Sequence, residues 1–147
     1  MADAPLAFDA AVQRTKPKRT VAVGFSIGTG IAASLAGERK LAGLILVTPF
    51  DSLKAVAQSA FPWLPIGPFF QHEIDAAAAV GATDTPTAIL AAERDEIIPP
   101  ERTHALRPHV RNLVFDRTID RAGHNDIYQR SPFQQAMREA MAVILEK

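Results

Sequence analysis

Gly43-Leu-Ile-Leu-Val47 runs for five residues without a polar side chain. Bounded by turn residues, so short an apolar run suits a strand buried on both faces, which is the habit of a parallel sheet. A parallel sheet needs helical crossovers, and the rest of the chain supplies the alternation. Thr20-Val-Ala-Val-Gly24, Pro86-Thr-Ala-Ile-Leu-Ala91 and Asn112-Leu-Val-Phe-Asp-Arg117 read as three further strands. Helices are expected over residues 5–14, 27–36, 51–60, 73–80 and 101–107. The final helix has the clearest pattern. Ser131 is its expected cap, Pro132 its first residue and Gln134 the partner of a capping box. Phe133, Ala136, Met137, Ala140, Met141, Ile144 and Leu145 then line one helical face. The expectation is an α/β fold: a parallel sheet of about four strands with helices on both faces.

Composition narrows the function classes. Lys plus Arg is 16 and Asp plus Glu is 16, so the net charge is 0. Binding of nucleic acid or an anionic membrane surface needs a basic excess, so neither is expected. With Cys at 0, disulfides, thiolate metal sites and a Cys nucleophile are excluded. The 147 residues suit one domain over 1–147, apolar enough at 48% to bury a core. Met1-Ala-Asp-Ala-Pro-Leu6 lacks the pattern of a signal peptide. Apolar stretches break within about ten residues, too short to span a bilayer. A cytoplasmic protein is expected.

Parallel sheets place their chemistry at the carboxyl ends of the strands. After the first strand comes Gly24-Phe-Ser-Ile-Gly28, a G-x-S-x-G pattern between strand and helix. Small neighbours allow a turn tight enough to present the serine hydroxyl, and the following helix aims its free N–H groups at the same place. Chance yields the pattern in about one chain in twenty of this length, so the flanking strand and helix carry the weight. Asp95 follows the third strand in Glu93-Arg94-Asp95, and His124 follows the fourth in Ala122-Gly-His-Asn-Asp126. A serine becomes a nucleophile when an imidazole takes its proton, and the imidazole needs a carboxylate to orient it.

Bland readings compete at each position. Ser26 could be an ordinary turn serine, and His124 a loop histidine bonded to backbone. His72, His104 and His109 are rival bases, though none directly follows a strand. Asp126 reads better as a surface or capping group. Phe61-Pro-Trp-Leu-Pro-Ile-Gly-Pro-Phe-Phe70 is barred from regular structure by its prolines. It reads as a loop, over 61–72 a lid or pocket wall, with an equal case for plain packing. Phe25, Trp63 and Phe69 are candidate substrate contacts. His72-Glu73-Ile-Asp75 lacks the H-E-x-x-H spacing, so no metal is expected. Gly24, Gly28 and Gly30 do not make G-x-G-x-x-G; Gly28 and Gly30 read as letting the helix pack close to the strand. Lys16 to Arg19 reads as a solvated turn.

The segments Val21–Gly28, Gly43–Pro49, Ala91–Pro99 and Gly123–Asn125 together resemble the α/β-hydrolase superfamily, in its small serine esterase and aminopeptidase-like branch. The resemblance implies Ser26 as nucleophile, Asp95 as the orienting acid and His124 as the base. It also implies the Ile27 N–H as an oxyanion donor and a small-molecule acyl substrate without a cofactor. Asp51 stays open as a rival acid, because some members take the acid from the end of the preceding strand. The family has further strands before the elbow strand, and the loop after one of them supplies a second oxyanion donor. No sequence of that His-Gly-Gly type precedes Gly24. The expectation is therefore the C-terminal portion of the fold, lacking the N-terminal strands. Residues 20–24 would then form an apolar sheet edge, open to self-association or to a complementing chain.

Overall fold

The structure, a computed structural model, describes residues 3–63 and 74–146. The expected lid loop lies outside the described residues from residue 64 onward, and Phe69 and His72 with it.

The elements follow in the order α1 (Asp3–Thr15), β1 (Val21–Phe25), α2 (Gly28–Glu38), β2 (Gly43–Val47), α3 (Leu53–Ala60), α4 (Ala76–Gly81), β3 (Thr87–Ala92), α5 (Pro100–Leu106), β4 (Leu113–Ile119) and α6 (Ser131–Glu146). The four strands form one sheet in sequential order, β1-β2-β3-β4. Every pair is parallel. The all-apolar run is β2, and each of its five residues is buried between β1 and β3.

Alternate residues of the strands feed two cores. Leu44, Leu46 and Ile89 face a cluster built from α2, α4 and α5, through Ala32, Ala33, Ala36, Val80 and Leu106. Ile45, Val47, Ala88 and Leu90 face α6, which contributes Phe133, Ala136, Ala140 and Ile144. The sheet is thus covered on both sides, as its apolar central strands require. Gly43 lets α6 lie directly on β2, since a side chain there would run into Ile144.

Helix starts differ from expectation by a few residues, and the caps explain where. Ser52 accepts the Ala55 N–H at 3.1 Å, so α3 begins at Leu53 and not at residue 51. Asp75 accepts the Ala78 N–H at 2.8 Å and sets the start of α4. The expected capping box at Ser131 gives way to a backbone arrangement. The Arg130 carbonyl accepts from both Phe133 and Gln134, at 3.1 and 3.2 Å, so Ser131 is already inside α6. Glycine roles shift too. Gly24 itself brings β1 against α2, because a Cβ there would stand 2.6 Å from the Gly28 carbonyl oxygen. Gly30 instead admits the Ile74 side chain, and Gly28 has open space beside it.

Candidate active site

Ser26 sits between β1 and α2 with φ at 50°, the left-handed region that a non-glycine residue adopts only at a cost. Three hydrogen bonds hold it there. Its N–H donates to the Val47 carbonyl at 2.9 Å, extending the β1–β2 ladder by one rung. Its carbonyl accepts from the Thr29 N–H at 2.9 Å and from the Thr29 hydroxyl at 2.7 Å. Thr48 and Arg121 also have positive φ, 48° and 55°, and follow β2 and β4. Three of the four described non-glycine residues with positive φ thus lie at the carboxyl ends of strands; the fourth, Lys16 at 47°, follows α1.

Asp95, His124 and Ser26 meet there. His124 Nε2 lies 2.9 Å from Ser26 Oγ. Its Nδ1 lies 2.9 and 2.8 Å from the two oxygens of Asp95. A buried carboxylate needs several donors, and Asp95 has them. Its Oδ1 also accepts the N–H groups of Ile97 and Ile98 at 3.0 and 2.7 Å. Asp95 and His124 are 7% and 5% exposed, so this chain of bonds is shielded from water except toward Ser26. With its proton on Nδ1, toward the Asp95 carboxyl group, the imidazole turns its Nε2 lone pair to the serine O–H.

The Ile27 N–H opens α2 beside Ser26, and among the described residues it donates to no protein acceptor. Asp51 is turned elsewhere: its Oδ2 lies 3.3 Å from Arg102 of α5. Phe25 packs edge-on against Tyr128, with ring centroids 5.7 Å apart, and Tyr128 meets Phe133 the same way. This aromatic row ties the Ser26 elbow to the segment after His124. Trp63 is 77% exposed and touches Phe61. His104 lies in α5 and His109 in the 3-10 turn after it, both away from this bond chain. Among the described residues, no group of three or more His, Asp or Glu side chains is arranged to hold a metal. Nor is any described helix long and apolar enough to cross a membrane.

Asp126 caps its own loop by accepting the Gly123 N–H at 2.8 Å. Arg130 hydrogen-bonds its carboxyl, and this, with the Gly123 N–H, holds Asp126 below the usual carboxylate range. Two further carboxylates reach the His124 loop without having been singled out from the sequence. Glu93 accepts the Arg121 N–H and Glu96 the His124 N–H. Their one visible signal is three acidic residues in four positions, Glu93 to Glu96, straight after an apolar strand.

No family model matches the chain. An uncharacterized protein of Mycobacterium tuberculosis is 30% identical over 113 residues, spanning 75% of this chain and 39% of that protein. Among solved structures, the chain is similar to an acetyl xylan esterase from Paenibacillus sp. R4, with a TM-score of 0.73 at 20% identity. That match covers 95% of this chain and 51% of the esterase. An esterase of Pyrococcus furiosus matches with a TM-score of 0.71 at 20% identity, over 98% of this chain and 59% of its own. A novel esterase from Mycobacterium tuberculosis matches at 0.65 and 13% identity, over 97% and 66%. The chain thus spans about half the length of the first two esterases. A four-stranded parallel sheet covered on both faces, with a serine elbow after its first strand, and matches of this quality lead to one conclusion: the chain carries the α/β-hydrolase fold, over about half the length of those esterases.

Proposed function

We propose that the chain is a serine hydrolase that cleaves an ester, thioester or small amide through an acyl-enzyme on Ser26. The observation that carries this reading is the unbroken Asp95–His124–Ser26 bond chain ending on a strained elbow. Ser26 Oγ bonds to the substrate carbonyl carbon while its proton passes to His124 Nε2. The carbonyl electrons move onto oxygen, and that anion is met by the Ile27 N–H and the positive end of α2. The intermediate then expels its leaving group, which takes the proton from His124. Water repeats the sequence: it gives a proton to His124, displaces the acyl group as an acid and restores Ser26. No metal or organic cofactor enters these steps. Asp95 keeps the imidazole in the tautomer that can accept, and it stabilises the cation that forms. Phe25 and Trp63, 43% and 77% exposed, offer apolar surface to an acyl group. The likeness to esterases favours esters over amides. A neutral chain without cysteine suits the reducing cytoplasm.

A fluorophosphonate probe tests the reading. Labelling is expected for the native chain and lost in Ser26→Ala. Labelling that survives the substitution would remove Ser26 from its role.

A second reading rests on a separate observation. β1 is a margin of the sheet with no charged side chain, and Val23 and Phe25 are 37% and 43% exposed. In that reading the chain is a subunit completed along β1 by a second copy or another polypeptide. Sedimentation at rising concentration tests self-association, and a monodisperse monomer at high concentration would speak against it.

A further inference from the structure

The loops that carry Asp95 and His124 are stitched together by more than the bond between their side chains. The N–H of Glu93 donates to the Ile119 carbonyl at 3.1 Å, and that of Arg94 to the Ala122 carbonyl at 2.8 Å. In the opposite direction, Glu93 Oε2 accepts the Arg121 N–H at 2.5 Å and Glu96 Oε2 accepts the His124 N–H at 3.1 Å. Consecutive residues therefore hold the two ends of one histidine: Asp95 binds the ring at Nδ1 and Glu96 binds the backbone amide. A hydrogen bond to the ring alone leaves the imidazole free to swing with its backbone. The second attachment restrains the His124 backbone, on which the position of Nε2 relative to Ser26 depends.

Gly123 leaves room for the Glu96 carboxylate. The three nearest atoms to a Cβ placed on Gly123 all belong to the Glu96 carboxyl group, at 2.8, 3.5 and 3.5 Å. A side chain at position 123 would displace the carboxylate and meet nothing closer. Gly123 has no positive φ, so this space, not backbone freedom, is what glycine provides there.

We propose that Glu96 is a positioning residue: its carboxylate, admitted by Gly123, accepts the His124 N–H and keeps the imidazole aimed at Ser26. This rests on the serine hydrolase reading above. Small misplacements of a reacting group are costly, but Glu96 is exposed and a single bond is at stake. The expected loss is therefore moderate.

The test uses p-nitrophenyl acetate hydrolysis and the imidazole Nδ1–H resonance of His124. Glu96→Ala is expected to lower kcat about 5- to 20-fold, with KM and the thermal midpoint unchanged, and to broaden the Nδ1–H signal. Glu96→Gln keeps an oxygen that accepts the same N–H, so it recovers most of the rate and a sharp signal. Gly123→Ala reproduces the loss in the native chain and adds none in the Glu96→Ala background, as expected of residues acting through one contact. A native kcat and sharp signal in Glu96→Ala would overturn the proposal. So would a full additional loss from Gly123→Ala in that background. A native chain inert toward both ester and fluorophosphonate would sink the hydrolase reading alone, because the Nδ1–H signal of Glu96→Ala still decides the role of Glu96.

Discussion

The two margins of the sheet are built for different surroundings. Along β4, Asp116 pairs with Arg107 at 2.7 Å and Arg117 with Glu139 at 3.0 Å. The Arg117 guanidinium also lies 5.3 Å from the centre of the Phe115 ring. Charges of this kind blunt an edge against further strand pairing. Along β1, Val21-Ala-Val-Gly-Phe25 offers no charge at all. Yet the candidate site needs both margins, since Ser26 follows β1 and His124 follows β4. Two strands lie between them. What joins the margins is the loop network at the carboxyl ends and, beneath it, α6. Arg19, just before β1, donates to the carbonyls of Leu145 and Ile144 at 2.5 and 3.4 Å, so α6 links the entry of β1 to the exit of β4. On the proposed reading of a subunit completed along β1, the uncharged edge that carries the Ser26 elbow is the one that association would cover.

The sharpest way to break the link between the margins is at Asp95. Asp95→Asn is expected to lower fluorophosphonate labelling roughly 10³- to 10⁴-fold, because the imidazole loses the partner that sets its tautomer. Asp51→Asn, measured beside it, should change labelling by less than about threefold. It should also lower stability, because Arg102 loses its partner in a half-buried site. The opposite ranking would make Asp51 the acid.

Removing the support beneath both margins comes next. Ile144 is fully buried against Gly43 and the α6 core. Ile144→Ala should cost about 2–5 kcal/mol in denaturant unfolding, and labelling should fall only as the folded fraction falls.

The asymmetry of the edges is tested directly by placing a lysine on each. Val23→Lys on β1 is expected to weaken any self-association by about tenfold or more in sedimentation. Thr118→Lys on β4 should leave it unchanged. Equal effects would mean that the two margins do not differ in this respect.

The smallest expected effect belongs to Asp126. Its carboxyl is held below the ordinary value of 3.8 by Arg130 and the Gly123 N–H. A lowered folded value means that its stabilisation is fully present above the ordinary carboxylate range and is lost as pH falls through the lowered one. The thermal midpoint of the native chain should therefore fall more steeply below pH 3.8 than that of Asp126→Asn. Parallel curves would show that the carboxyl is not held.

Much of the fold was legible because it rests on local pattern. Five apolar residues at Gly43 announced a doubly covered strand, and the spacing from Phe133 to Ile144 announced the helix that covers it. The order of Ser26, Asp95 and His124 after the first, third and fourth strands was equally visible, since a parallel sheet brings its carboxyl ends to one side. Helix starts were less legible. At the start of α6 the Arg130 carbonyl takes the Phe133 and Gln134 N–H groups, and carbonyls leave no mark in a sequence. Asp51 and Asp95 looked alike as acids after strands. Only the packing of α5 hands Arg102 to one and the His124 loop hands its imidazole to the other. Glu93 and Glu96 were not singled out, because their partners lie 28 residues away.

By itself, the sequence determined the layers, the parallel sheet and the edge at which its polar residues gather. Hydrophobic periodicity and turn chemistry act over a few residues and are written in the chain. Tertiary structure alone decided which acid meets His124, which carboxylate holds its backbone, and the strained φ of Ser26 and Thr48. Those depend on distances between residues far apart in sequence, and they are set only when both cores have packed.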